Sequence, residues 1–197
     1  LSVTLPTSPG IRSARIRLLD FGGPLTPGLG GPVQRIERLG TRSAVDYMLP
    51  PMLTEPAGRT WLAILARAKR EGAVYPVPQP GLLIGAPGSP VVNGAVAGGT
   101  SLPLRSASAL YAFRAGQAIS IFHGGRRYLY FVETAVAANA SGVAVLTLDR
   151  LLRTALTDGD AISVAAPLIE GALDYGDAID LLLEPYSQIN FTIMENA

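Results

Sequence analysis

Gln117-Ala118-Ile119-Ser120-Ile121-Phe122-His123, then Gly124-Gly125, then Arg126-Arg127-Tyr128-Leu129-Tyr130-Phe131-Val132-Glu133 is the stretch on which the fold class turns. Both flanks are rich in β-branched and aromatic residues, and the glycine pair between them accepts the positive φ angles of a tight turn, so a β-hairpin is predicted. The same signals continue downstream. Ser141-Gly142 introduces an alternating strand over 143–148, and Asp158-Gly159 introduces another over 161–165. The tail reads as a three-strand meander over 168–173, 178–183 and 189–194, turning at Tyr175-Gly176 and Pro185.

Upstream, residues 74–99 carry Pro76, Pro78, Pro80, Pro87 and Pro90 among glycines, which predicts a long loop and a domain boundary. Pro167 marks a second boundary. One helix is predicted, over about residues 56–71. Glu55 and Pro56 suit its first turn, and Trp61, Leu65 and Ala68 recur at i, i+4 and i+7 with Leu62 widening the stripe. Arg67, Lys69 and Arg70 complement its C-terminal end, and Gly72 stops it. Before it, strands are predicted over 11–19, 33–39 and 43–49. In the first, Ala14, Ile16 and Leu18 share one face and Arg15 and Arg17 the other. Residues 20–32 hold five glycines and three prolines, which predicts a loop bearing Phe21, Leu25 and Leu29. An apolar loop of that length is a natural docking arm. No repeat of 20 to 50 residues is visible, which argues against solenoids and propellers.

Composition points the same way. Of 197 residues, 48 % are hydrophobic and only 16 % charged, against about 25 % charged in average soluble proteins, so part of the surface is expected to be covered by partners. The net charge is +1, and Arg12, Arg15, Arg17, Arg35, Arg38 and Arg42 are scattered among apolar residues, which leaves no footprint for nucleic acid. Without cysteine there are no disulfides, thiolate nucleophiles or cysteine metal sites. No stretch of about 20 apolar residues occurs, so membrane insertion is not expected, and a soluble protein assembled in a cytoplasm fits. On that basis the Asn139-Ala140-Ser141 sequon is a chance match.

Chemistry has little to stand on. His123 is the lone histidine, beside the turn, where an exposed hairpin residue is the plain reading. Ser89, Ser120 and Ser141 lack a nucleophile-elbow setting. Asp158 with Asp160, and Asp174 with Asp177 and Asp180, flank turn glycines without the spacing of a calcium loop. Glu133, Glu170 and Glu184 are the carboxylates a glycosidase would need, but no cleft signature accompanies them. Gly28-Leu29-Gly30-Gly31-Pro32 is not a phosphate-binding fingerprint. No catalytic, cofactor-binding or metal-ligating residue is therefore expected. The chain reads as a mainly β, non-enzymatic assembly protein.

The order of motifs carries a resemblance. Arg35-Ile36-Glu37-Arg38-Leu39-Gly40-Thr41-Arg42, a strand closed by Leu49-Pro50-Pro51-Met52, the helix around Trp61 and the Gly72-to-Pro80 exit resemble the N-terminal part of minor tail proteins of tailed, siphovirus-type bacteriophages. Arg114-Ala115-Gly116-Gln117, the Gly-Gly hairpin, Ala140-Ser141-Gly142, Leu151-Leu152-Arg153 and Thr157-Asp158-Gly159-Asp160 resemble their middle part. The resemblance implies a distal tail protein at the tail tip or baseplate, forming an oligomeric ring, commonly sixfold, that links the tail tube to the hub and receptor-binding apparatus. It implies a tube-like β-sandwich with one flanking helix from residues 1–80 and 166–197, and an inserted small β-sandwich or barrel domain over 81–165. Its partners would be copies of itself, the tail tube protein, and the hub and other tail-tip proteins, with no direct contact to nucleic acid. Its place would be the virion tail, assembled in the bacterial cytoplasm. Phe21, Leu25, Leu29, Val33 and Ile36 are the candidate subunit-interface residues. The alternatives are a host-surface glycan-binding β module using Tyr111, Phe113 or Tyr128, and a cell-wall hydrolase.

Overall fold

A computed structural model of the chain describes residues 2–28, 30–176 and 185–196. It is mainly β with a single α-helix. The strands before the helix are β1 Val3–Thr4, β2 Ser13–Leu19, β3 Gly23–Leu25, β4 Gln34–Ile36, β5 Arg42–Met48 and β6 Met52–Leu53. After α1, Arg59–Glu71, come β7 Ala73–Pro76, β8 Gly88–Val92, β9 Ser101–Ala107, β10 Ala112–Phe113, β11 Ala118–His123 and β12 Arg126–Phe131. The last are β13 Val136–Ala137, β14 Ala144–Thr147, β15 Ala161–Ser163, β16 Leu168–Asp174, β17 Tyr186–Ser187 and β18 Asn190–Glu195.

Two six-stranded sheets organise them. The first runs β1-β7-β16-β18-β5-β2, drawing on both ends of the chain, and the second runs β12-β11-β15-β8-β9-β14. In the first, Val45 and Tyr47 of β5 stand on the same face as Phe191 and Ile193 of β18, which pair with them across the ladder. The stripe Trp61, Leu65 and Ala68 of α1 is buried against this face. Trp61 lies nearly parallel to Phe191, with ring centroids 6.0 Å apart, and Tyr75 meets Phe191 edge-on at 5.6 Å. Such pairs add stabilisation beyond the area they bury. Gly72 ends the helix as the spacing predicted, while its start lies later than Glu55 and Pro56 implied. Glu55 is extended (φ −121°, ψ 127°), because a separate turn over Thr54–Gly58 precedes the helix.

In the second sheet the predicted hairpin forms with His123 opposite Arg126, and Gly124 and Gly125 take φ of 56° and 80°. Leu102, Leu104, Ile119, Ile121, Tyr130 and Leu146 fill its core. The sheet curls until its outer strands meet: Val132 bridges to Leu148, and the Glu133 N–H donates to the Thr147 carbonyl at 2.8 Å.

Several expectations change. Residues 74–99 are not one loop: β7 is central in the first sheet, with Val74 and Tyr75 buried, and β8 is central in the second. Pro90 is tolerated within β8 because a bulge falls there. Gly88 faces Ala107 but Val91 faces Arg105, so the ladder skips a position. Residues 20–32 likewise hold β3, paired with β4, and the strand expected over 33–39 shortens to Gln34–Ile36. The strand expected over 178–183 lies outside the described residues. Because β16 pairs directly with β18, the tail does not follow the order of a meander.

A buried polar cluster joins the sheets. Glu195 of β18 accepts the Ser43 N–H at 2.7 Å with one oxygen and the Leu129 N–H of β12 at 2.8 Å with the other. The Arg150 guanidinium donates to the Ser43 hydroxyl at 2.7 Å and the Leu129 carbonyl at 3.2 Å. Burial pushes the Glu195 carboxyl above its ordinary value, against the opposing pull of the two N–H donors and of Arg153 and Arg150.

Candidate functional site

Among the described residues, strand β2 is the outer strand of the first sheet and pairs only with β5. On its arginine face, Arg17 donates to both oxygens of Asp46 at 2.9 and 2.7 Å. Its apolar face is not covered: Ile16 is 44 % and Leu18 53 % exposed. Alternation in β2 therefore places apolar side chains on the surface beside a run of backbone N–H and C=O groups with no strand partner among the described residues.

The chain leaves β2 into the β3–β4 arm. Phe21 follows β2, Leu25 ends β3, Val33 precedes β4 and Ile36 ends it, and all four are exposed, as is Leu39 beyond them. Leu29, the remaining candidate, lies outside the described residues. The arm is held in shape from its base. The Asp20 carboxylate accepts the Gly22 N–H at 2.8 Å and the Thr41 hydroxyl at 3.3 Å, and it pairs with Arg35 of β4. The Gly22 N–H, aided by Arg35 and Thr41, holds that carboxyl below its ordinary value. A side chain at Gly22 would collide with the Ile36 carbonyl, 2.5 Å from an ideal Cβ, so glycine is required for β3 to approach β4. Arg42 stacks over the Phe21 ring at 5.2 Å, which orients the ring without covering it. The result is a braced projection whose apolar side chains face outward.

The residues weighed for chemistry fall elsewhere. His123 is half-buried, not an exposed turn residue, because its Nδ1 lies 2.7 Å from Asp160 Oδ2. Asp160 also accepts the Thr157 N–H and hydroxyl at 2.7 and 2.9 Å. Burial alone would raise its carboxyl, but these donors and His123 hold it below the ordinary value. Asp158 accepts the Gly94 N–H at 2.7 Å and pairs with Arg105. Ser120 is buried, its hydroxyl accepting the Leu168 N–H at 3.0 Å. Both oxygens of Glu170 are occupied, one by the Ser2 hydroxyl and the other by the Arg127 N–H and guanidinium. Glu133 is exposed, and Glu184, Asp177 and Asp180 lie outside the described residues. Among the described residues no group of three or more His, Cys, Asp or Glu side chains converges as a metal site would require. No helix among them is long and apolar enough to cross a membrane.

Of the aromatics considered for glycan contact, Phe113 is fully buried in the second core, and the Tyr111 hydroxyl donates to the Ile84 carbonyl at 2.8 Å. Tyr128 lines a cleft. Sequence reasoning missed Ile16 and Leu18 as surface residues, since alternation looks the same whether the apolar face meets a core or water.

No protein-family model matches the chain, and no curated protein matches it.

Proposed function

We propose that this chain is a non-enzymatic structural subunit of a bacteriophage tail tip, assembling with copies of itself into a ring that links the tail tube to the hub. The observation that carries the reading is the set of exposed apolar side chains Ile16, Leu18, Phe21, Leu25, Val33, Ile36 and Leu39 on β2 and the arm that leaves it. Burial of such side chains yields about 25 cal/mol per Å² of apolar surface removed from water. Bracing by Asp20 lowers the ordering cost on association, because the arm is already shaped before a neighbour arrives. The motif order described above supplies the tail-tip assignment, and the ring's other neighbours are then the tube and hub proteins.

The test is assembly of the full chain carrying Leu25→Asp together with Ile36→Asp. Light scattering and negative-stain microscopy should show a closed oligomer for the unmodified protein and a folded monomer for the double variant. A monomeric unmodified protein, or an unchanged oligomer mass in the variant, overturns the reading.

A further inference from the structure

A cleft of about 420 Å³ lies where the Gly124-Gly125 turn faces the end of α1, lined by Glu71, Arg126, Arg127, Tyr128, Arg153 and Glu170 among others. Its size is that of a small-molecule site. What it offers a ligand follows from which lining groups already have partners.

The acceptors are taken. Glu71 accepts three hydrogen bonds from Arg67, each at 3.1 Å, and Glu170 accepts from Ser2 at 2.8 Å and from Arg127 at 3.1 and 3.2 Å. The donors are not. Arg126 is exposed and its side chain makes no hydrogen bond or ion pair among the described residues, and the Tyr128 hydroxyl has no partner there either. Arg127 spends one guanidinium nitrogen on Glu170 and is steadied by the Phe122 ring at 5.0 Å. Arg153 is stacked over Tyr128 at 5.3 Å, its Nη2 donates to the Asn196 carbonyl, and its Nη1 lies 3.4 Å from Glu195, an ion pair without hydrogen-bond geometry. The cleft thus presents unfilled donors and surplus positive charge against carboxylates that are already matched.

We propose that this cleft binds a small oxyanion-bearing molecule of sugar size, its carboxylate or phosphate received by Arg126 and the Tyr128 hydroxyl with Arg127 alongside. An arginine fork is the side chain suited to such a group. The proposal does not depend on ring assembly, since the cleft and the arm share no residue.

Titration calorimetry of the full chain at low ionic strength tests it with glucuronate, inorganic phosphate and glucose as probes. Both acids should bind with Kd of about 1 mM or tighter, and glucose should not. If glucuronate binds more tightly the natural ligand is a sugar acid, and if phosphate does it is a phosphate, either order sustaining the proposal. Arg126→Gln should weaken binding about tenfold or more with an unchanged melting curve, since that side chain holds nothing in the fold, and Tyr128→Phe should weaken it less. Glucose binding as tightly as glucuronate, no heat from either acid at about 50 mM, or undiminished affinity in Arg126→Gln overturns the proposal.

Discussion

The two six-stranded sheets end differently. The second bends until β12 reaches the segment after β14, so its outer strands are joined through Val132 and Leu148. The first stays open, flanked by two-residue β1 on one side and seven-residue β2 on the other. Closure removes the backbone groups that recruit another chain, whereas an open edge keeps them. The exposed apolar face lies at the open end, on β2 and the arm that leaves it. The difference teaches that the first sheet combines an open edge with exposed apolar side chains, whereas in the second, where Phe122 and Val145 are also exposed, the outer strands are tied to each other.

That contrast can be broken from the inside of the closed sheet. Ile121 is fully buried in the hairpin strand β11, and Ile121→Ala should cost about 3–4 kcal/mol through lost transfer energy and the cavity left behind, read as a lower denaturation midpoint. The junction between the sheets comes next. Both Glu195 oxygens accept backbone N–H groups, so the amide of Glu195→Gln must turn its NH2 toward one of them, at a cost of about 2 kcal/mol measurable by the same unfolding curve. The smallest effect is electrostatic and sits at the rim of the closed sheet. The Arg105 side chain, then the Gly94 N–H, lower the Asp158 carboxyl from 3.8 to about 2. A folded-state value below the unfolded one stabilises the protein above the ordinary carboxylate range, and that contribution is lost as pH falls from 3.8 towards 2. Asp158→Asn should therefore flatten the fall of melting temperature in that acid window and leave the neutral-to-alkaline limb parallel to the unmodified protein's.

Legibility follows how local each signal is. The β11–β12 hairpin is readable because Gly124-Gly125 determines the turn between two apolar runs, and α1 because Trp61, Leu65 and Ala68 repeat at helical spacing. Strands β7 and β8 are hidden by their prolines: Pro76 sits at the end of one and Pro90 in a bulge of the other, positions no local rule separates from a loop. In the arm, Phe21, Leu25, Val33 and Ile36 are legible as surface residues, since glycine- and proline-rich chain packs poorly. The pairing of β3 with β4 is not, because it hangs on Asp20 reaching Arg35 and Thr41. His123 and Asp160 stand 37 positions apart, and only the tertiary pairing of β11 with β15 brings them together.

The unequal borders of the open sheet have a bearing on stoichiometry. At about 3.3 Å per residue, β2 offers a border of about 23 Å and β1 one of about 7 Å, too little to receive it. Backbone pairing across β2 would therefore match like with like about a twofold axis and saturate at a dimer. A cyclic ring of more than two copies must bring unlike patches into register, and a projecting hairpin seated on a different part of its neighbour is a head-to-tail contact of that kind.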